Sequence, residues 1–480
     1  MTEVAGQTVT TTAGRIRGSR EGEALCFRGI PYAASPIGAL RFAAPQPHPG
    51  WAGVRDTVHA GPAVPQGPSR LELVMGHRAP DWNEDGCLTL NVFRPAEAHD
   101  ERAPRPVLVW FHGGGFTSGS GGWDWYDGSR LALLGDAVVV TANYRVGPLG
   151  YLYLPQIGAD NLGCQDQRAV LRWVSDNIAA FGGDPGNITV GGQSAGAFSA
   201  LALALDEPTT GLVRQVLLQS GPWGLDPQDS QDAAQNAEAY ARLLGVPTGP
   251  EAGEALRTLP VEQLLSAYHQ LAVQQARPGN VAPPMYPVLG GAGISRPWRQ
   301  ALADGALDGK ALLIGTTRDE ATAFFGFDPR IQSLTAPGAV QILAAALGDQ
   351  AEQIYQGHAA QLPGATPAEI FIAVQTDLIF RGGALAIAEH HAAGGNATYV
   401  YQFDRRPAAD PHHLGATHCC ELPFLFGTFD TYPDSPMLGE AGDADRELGR
   451  DFATAVAEFS TSAEVTGWAP YATGQIRHLG

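Results

Sequence analysis

Cysteine is scarce and irregularly placed: Cys26, Cys87, Cys164, Cys419 and Cys420 form an odd set with no C-x-x-C spacing. That excludes a disulfide framework, and the five read as reduced residues packed like small hydrophobes. Positive charge is also short. Against 49 Asp and Glu there are 30 Lys and Arg, a formal charge of -19, so neither nucleic acid nor an anionic membrane surface is expected as a partner. No apolar run approaches the length of a membrane span, and Met1 to Ala13 is polar and threonine-rich rather than basic and then apolar. A cytoplasmic protein is expected. Phosphate-binding signatures are missing too: no G-x-G-x-x-G follows a strand and opens a helix, and Gly305 to Ala311 lacks the spacing and the Ser/Thr of a P-loop. No internal repeat or long low-complexity linker divides the 480 residues. A single domain over 1–480 is therefore expected, large but within the range of single-sheet α/β enzymes.

What is present centres on Gly191-Gly192-Gln193-Ser194-Ala195-Gly196-Ala197. The pentapeptide from Gly192 to Gly196 fits G-x-S-x-G, between a β-branched run at Ile188 to Val190 and an alanine/leucine run at Ala197 to Leu205. A strand turning sharply into a helix holds the middle serine in a strained position, with its hydroxyl above the sheet. The flanks make the signal, since five residues alone recur by chance in a chain with 60 glycines.

In chain order, alternation and Gly/Pro punctuation from Val9 to Pro49 predict small antiparallel strands at a sheet edge. Val107 to Phe111 reads as a buried strand that delivers His112-Gly113-Gly114-Gly115-Phe116, a glycine run able to point backbone N–H groups at one spot. Val138 to Tyr144 is another buried strand, and Gln165 to Phe181 a helix of period 3.6 stopped by Gly182-Gly183. After the strand Val213 to Gln219, alanine-rich helical patterns predominate, read as insertions over roughly 225–305 and 330–395. Between and after them, Ala311 to Ile314 delivers Thr317-Arg318-Asp319-Glu320, and Thr398 to Phe403 delivers a loop with His412, His413 and His418. A last amphipathic helix carries Leu448, Phe452, Val456 and Phe459 on one face.

A serine hydroxyl needs a base to take its proton, and the base needs a partner to fix its tautomer. Ser194, then Asp319 or Glu320, then His418 gives the order serine, acid, histidine, each past the carboxyl end of a strand. On spacing alone His412 and His413 compete for the base, while His390 and His391, in a helical pattern, are expected at the surface. The same loop offers His412, His413, His418, Cys419 and Cys420 as metal ligands, but adjacent ligands do not both easily reach one tetrahedral ion. No metal and no cofactor is expected. The N–H groups of Gly114, Gly115 and Ala195 are candidate donors to an oxyanion. Phe116, Trp123, Trp125 and Tyr126 suggest an aromatic wall nearby, and Phe324, Phe325 and Phe327 could line the pocket or pack in the core.

At this point the chain resembles the type B carboxylesterases of the α/β-hydrolases, a family that includes cholinesterases and bacterial para-nitrobenzyl esterases. The motifs run in order from about Val9 to about Tyr471: Phe27 to Ala33, Arg41-Phe42, Cys87 to Val92, His112 to Phe116, Asn143-Tyr144-Arg145, Asn161-Leu162-Gly163, Phe181 to Pro185, Gly192 to Gly196, Gln219-Ser220-Gly221, Thr317 to Glu320, and His418 with Glu421-Leu422-Pro423-Phe424. The resemblance implies an α/β-hydrolase fold, with a large, mostly parallel central sheet, helices on both faces and helical insertions after the nucleophile half. It implies Ser194, Glu320 and His418 as the catalytic triad, selecting Glu320 over Asp319 and His418 over its neighbours. It places the oxyanion hole at Gly114, Gly115 and Ala195, and ion pairs at Arg41 with Asp85 and Arg145 with Asp166.

The activity implied is a bacterial-type serine carboxylesterase acting through an acyl-enzyme on small to medium, neutral ester substrates. A carbamate or amide hydrolase with the same triad, or a catalytically silent binding protein, are the alternatives. The departures bear on substrate. Gln193 stands where the family usually has Glu, which removes a negative charge beside the site, weakens attraction for cations and predicts poor activity on choline esters. Trp82 lies too close to Cys87 to be carried over as the choline-binding tryptophan. The sequence leaves the oligomeric state open, with a monomer or weak dimer expected.

Overall fold

The computed structural model describes residues 7–79, 81–97, 103–249 and 251–480. The first six residues of the polar Met1 to Ala13 stretch lie outside them. Among the described residues thirteen strands follow in chain order: β1 (Thr8–Thr11), β2 (Gly14–Arg17), β3 (Ser19–Glu21), β4 (Ala24–Pro31), β5 (Val54–Asp56), β6 (Thr89–Pro95), β7 (Arg105–Phe111), β8 (Val138–Ala142), β9 (Gly183–Gln193), β10 (Gln215–Gln219), β11 (Ala311–Thr317), β12 (Thr398–Phe403) and β13 (Arg477–Leu479). Strands β1, β2 and β5 make a small sheet of their own. The other ten form one sheet in the order β13-β12-β11-β10-β9-β7-β8-β6-β4-β3. From β13 to β8 every neighbouring pair is parallel, while β6, β4 and β3 continue antiparallel to the edge.

The sequence accounts for this division. Strands buried on both faces read as continuous apolar runs, and Val107 to Phe111, Val138 to Val140 and Leu312 to Ile314 are all fully or nearly fully buried. Helices cover both faces. Those at Leu162–Asn177 and Ala195–Leu205 pack into the same core as Val109, Val190 and Leu218 of the sheet, while the helix Asp443–Ser462 packs Phe452, Val456 and Phe459 with Leu108, Trp110 and Leu217. The predicted insertions are helical. Ser230–Leu244, Ala252–Thr258, Val261–Gln275 and Trp298–Ala303 separate β10 from β11, and a second helical set separates β11 from β12.

Parallel order puts the carboxyl ends of β7, β9, β11 and β12 on one rim, the place where open α/β sheets carry their sites. The glycine run, Ser194, Glu320 and His418 all follow these four strands.

Three expectations need correction. Arg41 pairs with Glu84, Nε to Oε1 at 2.7 Å, and donates through Nη1 to Leu259 O at 2.6 Å. Asp85 is exposed and instead accepts from Ser35 Oγ at 2.6 Å. Gly86, with φ 76°, follows Asp85 in the turn before Cys87. His391 is buried, with Nδ1 2.8 Å from Thr398 Oγ1, because that side of its helix faces the sheet; only His390 is exposed. The helical stretch Pro367–Ala393 is long and apolar enough to cross a membrane, with a mean hydropathy of 1.5 over an 18-residue window, but 61% of that window is buried inside the protein, and the stretch packs on β11 and β12.

The pair expected at Arg145 and Asp166 is present and completely enclosed. Arg145 Nε and Nη2 donate to the two Asp166 oxygens at 2.8 and 2.7 Å, the Arg145 N–H donates at 2.9 Å, and Nη1 reaches Ala43 O at 2.7 Å. Removing one partner leaves a buried charge unanswered. Asp166→Ala should therefore lower stability by about 3 to 5 kcal/mol, read as a drop in the urea midpoint. A loss under about 1 kcal/mol would mean that water or Ala43 alone satisfies the guanidinium.

Candidate active site

Strand β9 ends at Gln193, and Ser194 stands between it and the helix Ala195–Leu205 with φ 58° and ψ -124°. A side chain is strained at this φ. Two backbone approaches enforce it. The Ser194 N–H donates to Gln219 O at 2.8 Å, and a Cβ on Gly196 would fall 1.9 Å from Phe111 O, so only glycine lets the helix start so close to β7. Ser194 keeps 8% of its surface and opens on a pocket that Gly114, Gly115, Phe116, Pro222, Leu225, Phe324 and Phe380 also line.

The glycine run leans over the serine: a Cβ on Gly113 would sit 3.1 Å from Ser194 Cβ. Gly114 takes φ 113°, and a Cβ there would lie 2.0 Å from Ser118 O, so the turn requires glycine. Among the described residues no protein acceptor takes the N–H of Gly114, Gly115 or Ala195. His112, at the start of the run, is fully buried, stacked on Tyr144 at 4.4 Å, with Nδ1 2.7 Å from Gly113 O. Burial lowers its pKa to about 4, and it stays neutral at ordinary pH.

His418 is brought in by the loop after β12 and has no exposed surface. Its Nδ1 lies 2.5 Å from Glu320 Oε2, and the other Glu320 oxygen accepts the Thr317 N–H at 2.8 Å. A carboxylate accepts only, so Nδ1 carries the proton and Nε2 is left as an acceptor. Nε2 takes the Gln193 amide at 3.2 Å. The rings of Phe380 and Phe324, at 4.8 and 5.2 Å, hold the imidazole and exclude water.

The competitors fall elsewhere. Asp319 accepts the Ala416 N–H at 2.8 Å and pairs with Arg318, which ties two loops together. His413 is exposed with φ 53°, and His412 packs on Phe327. The three phenylalanines divide: Phe324 lines the pocket, Phe325 packs on Phe371 in a separate core, and Phe327 stays near His412. The expected aromatic wall is divided: Phe116 is buried against Tyr151 and Phe198, while Trp123, Trp125 and Tyr126 pack in a separate core with Tyr432 and Phe426. All five cysteines are buried and free, and among the described residues no cluster of His, Cys, Asp and Glu could hold a metal ion.

Two ionisable side chains, Glu421 and Arg70, went unassigned by the sequence. Glu421, quoted above only as part of a motif, is fully buried beside the pair, accepts from Ser220 Oγ at 3.3 Å, and leaves Oε2 without a partner. Burial first, and the nearby Glu320 second, push its pKa up to about 8. Arg70 lines the serine pocket as well, from a stretch with no periodicity to announce it. Trp82 lies on the wall of a larger cavity next door, of about 940 Å³.

Comparison with known proteins agrees with this geometry. The model of the carboxylesterase family matches residues 5–477. Phenmedipham hydrolase of Pseudarthrobacter oxydans is 37% identical over 89% of this chain and 84% of its own. The para-nitrobenzyl esterase of Bacillus subtilis (strain 168) is 36% identical over 97% and 92%. A solved PNB esterase superposes with a TM-score of 0.85 at 34% identity, covering 99% of this chain and 96% of that one. The sheet is that of an α/β-hydrolase, and the chain is a carboxylic ester hydrolase belonging to the carboxylesterase family.

Proposed function

We propose that Ser194, His418 and Glu320 form the catalytic triad of a serine carboxylesterase that works through an acyl-enzyme. The observation that carries this reading is the enclosed Glu320–His418 hydrogen bond, on the same rim as a strained, pocket-facing serine. Ser194 Oγ adds to the ester carbonyl carbon while His418 Nε2 takes its proton. For this, Nε2 exchanges the Gln193 amide for the serine hydroxyl. The carbonyl oxygen gains negative charge and is held by the N–H groups of Gly114, Gly115 and Ala195, an interaction worth about 3 to 4 kcal/mol per donor in the transition state. His418 then gives its proton to the departing alcohol, leaving the acyl group on Ser194. Water, deprotonated by the same Nε2, releases the acid. Glu320 holds the tautomer and steadies the imidazolium throughout.

The substrates proposed are small to medium esters without a cationic group. Gln193 brings no charge to the site, and Arg70 is the charged side chain that lines the pocket. Acetylcholine should therefore be hydrolysed at least about tenfold less efficiently than its neutral isostere 3,3-dimethylbutyl acetate. Equal kcat/KM values for the two would contradict this part of the reading. The similarity to an enzyme named for phenmedipham makes carbamate or amide hydrolysis the second reading. An amine must be protonated to depart and an alcohol needs this less, so butyranilide compared with phenyl butyrate separates the two. Five buried, free cysteines fit a cytoplasmic location.

A further inference from the structure

Arg70 has no part in the chemistry above, yet its guanidinium stands beside it. A Cβ on Gly115 would lie 2.5 Å from Arg70 Nη2, so the absent side chain of Gly115 is what admits the cation. Among the described residues lining the Ser194 pocket Arg70 is the charged one, and it also lines the cavity of about 940 Å³ next to it. Nη1 donates to Val281 O at 2.9 Å. Among the described residues no carboxylate pairs with the guanidinium; Asp229, Asp232 and Glu262 line the larger cavity without reaching it. The surrounding protein draws its pKa below the ordinary guanidinium value, while the cavity keeps the side chain open to solvent. Tyr268 lines the same cavity, and its hydroxyl is buried there.

A guanidinium that is open to solvent and has no carboxylate partner is available to an anion entering the cavity. A planar guanidinium is matched to a carboxylate, which it can hold through two parallel N–H donors. We propose that Arg70, with the Tyr268 hydroxyl, forms an anion subsite that holds a carboxylate on the part of the ester extending from Ser194 into the larger cavity. The proposal rests on the assignment of Ser194 as nucleophile. It replaces the neutral substrate expected from the sequence with an ester that carries one negative charge away from the scissile bond.

Two matched pairs of esters test it: 3-carboxyphenyl butyrate against 3-carbamoylphenyl butyrate, and mono-4-nitrophenyl glutarate against 4-nitrophenyl valerate. The first pair places the charge on the alcohol side and the second on the acyl side. In at least one pair the wild type should favour the anion in kcat/KM by about tenfold or more, chiefly through KM. Arg70→Gln should bring that ratio to one or below, and Arg70→Lys and Tyr268→Phe should each lower it in part. If Arg70→Gln does not fold, the latter two variants decide, since each must reduce the ratio. Anion-to-neutral ratios of one or less in both pairs, or a preference that survives Arg70→Gln, would overturn the subsite while leaving the esterase reading intact. Failure of the wild type to hydrolyse any of the four esters would overturn the esterase reading instead.

Discussion

Ser194→Ala is expected to lower kcat by about six orders of magnitude while leaving the fold and its stability nearly unchanged. Both halves follow from how the residue is held. The strained φ of 58° is imposed through the backbone, by the Ser194 N–H to Gln219 O bond and by Gly196 against Phe111 O, and alanine carries the same Cβ at that φ. What is lost is the oxygen that would form the acyl bond. Residual rate should come from the oxyanion donors and from substrate binding, which still exceed water by some three to four orders of magnitude. Steady-state rates with para-nitrophenyl butyrate, at matched circular dichroism and urea midpoint, check this. Activity within a hundredfold of wild type would remove Ser194 from the chemistry.

Glu320→Gln comes next in size, with kcat down by about 10⁴-fold. The wild-type carboxylate accepts from both the Thr317 N–H and His418 Nδ1, which leaves Nε2 without a proton. An amide can donate to Nδ1, and it then stabilises the tautomer that holds the proton on Nε2, the wrong atom for a base. It also withdraws the negative charge that balances the imidazolium. Glu320→Asp should recover part of the rate, limited by the shorter reach to a histidine that Phe324 and Phe380 hold in place. A Glu320→Gln enzyme within tenfold of wild type would show that Nδ1 finds its acceptor elsewhere, with Glu421, buried nearby, the residue to test.

How far the sequence leads is clearest at the four strand ends. Buried apolar runs mark β7 to β12, and the residues that follow β7, β9, β11 and β12 are those at the rim. Within two of those loops, spacing leaves a choice that geometry makes. Asp319 is held by Ala416 N–H and Arg318, so Glu320 alone reaches His418; His412 and His413 stay on an outer loop. What spacing does not carry is contact between distant, irregular segments. Arg70 comes from a stretch with no period, and its guanidinium reaches the pocket beside Gly115. The Arg41–Glu84 pair joins two irregular segments, where no period says which of Glu84 and Asp85 turns inward. His391 is polar in a helical pattern, and its burial depends on which side of that helix meets the sheet.

The measurement that bears most directly on the account is titration of the wild-type enzyme with the organophosphate paraoxon, followed by mass mapping of the adduct. One equivalent of para-nitrophenol per chain, activity lost in proportion, and a diethylphosphoryl group on the peptide containing Ser194 are the predicted result, with Ser194→Ala releasing none. Ester hydrolysis that continues undiminished after full exposure, or an adduct on another residue that accounts for the lost activity, would contradict it.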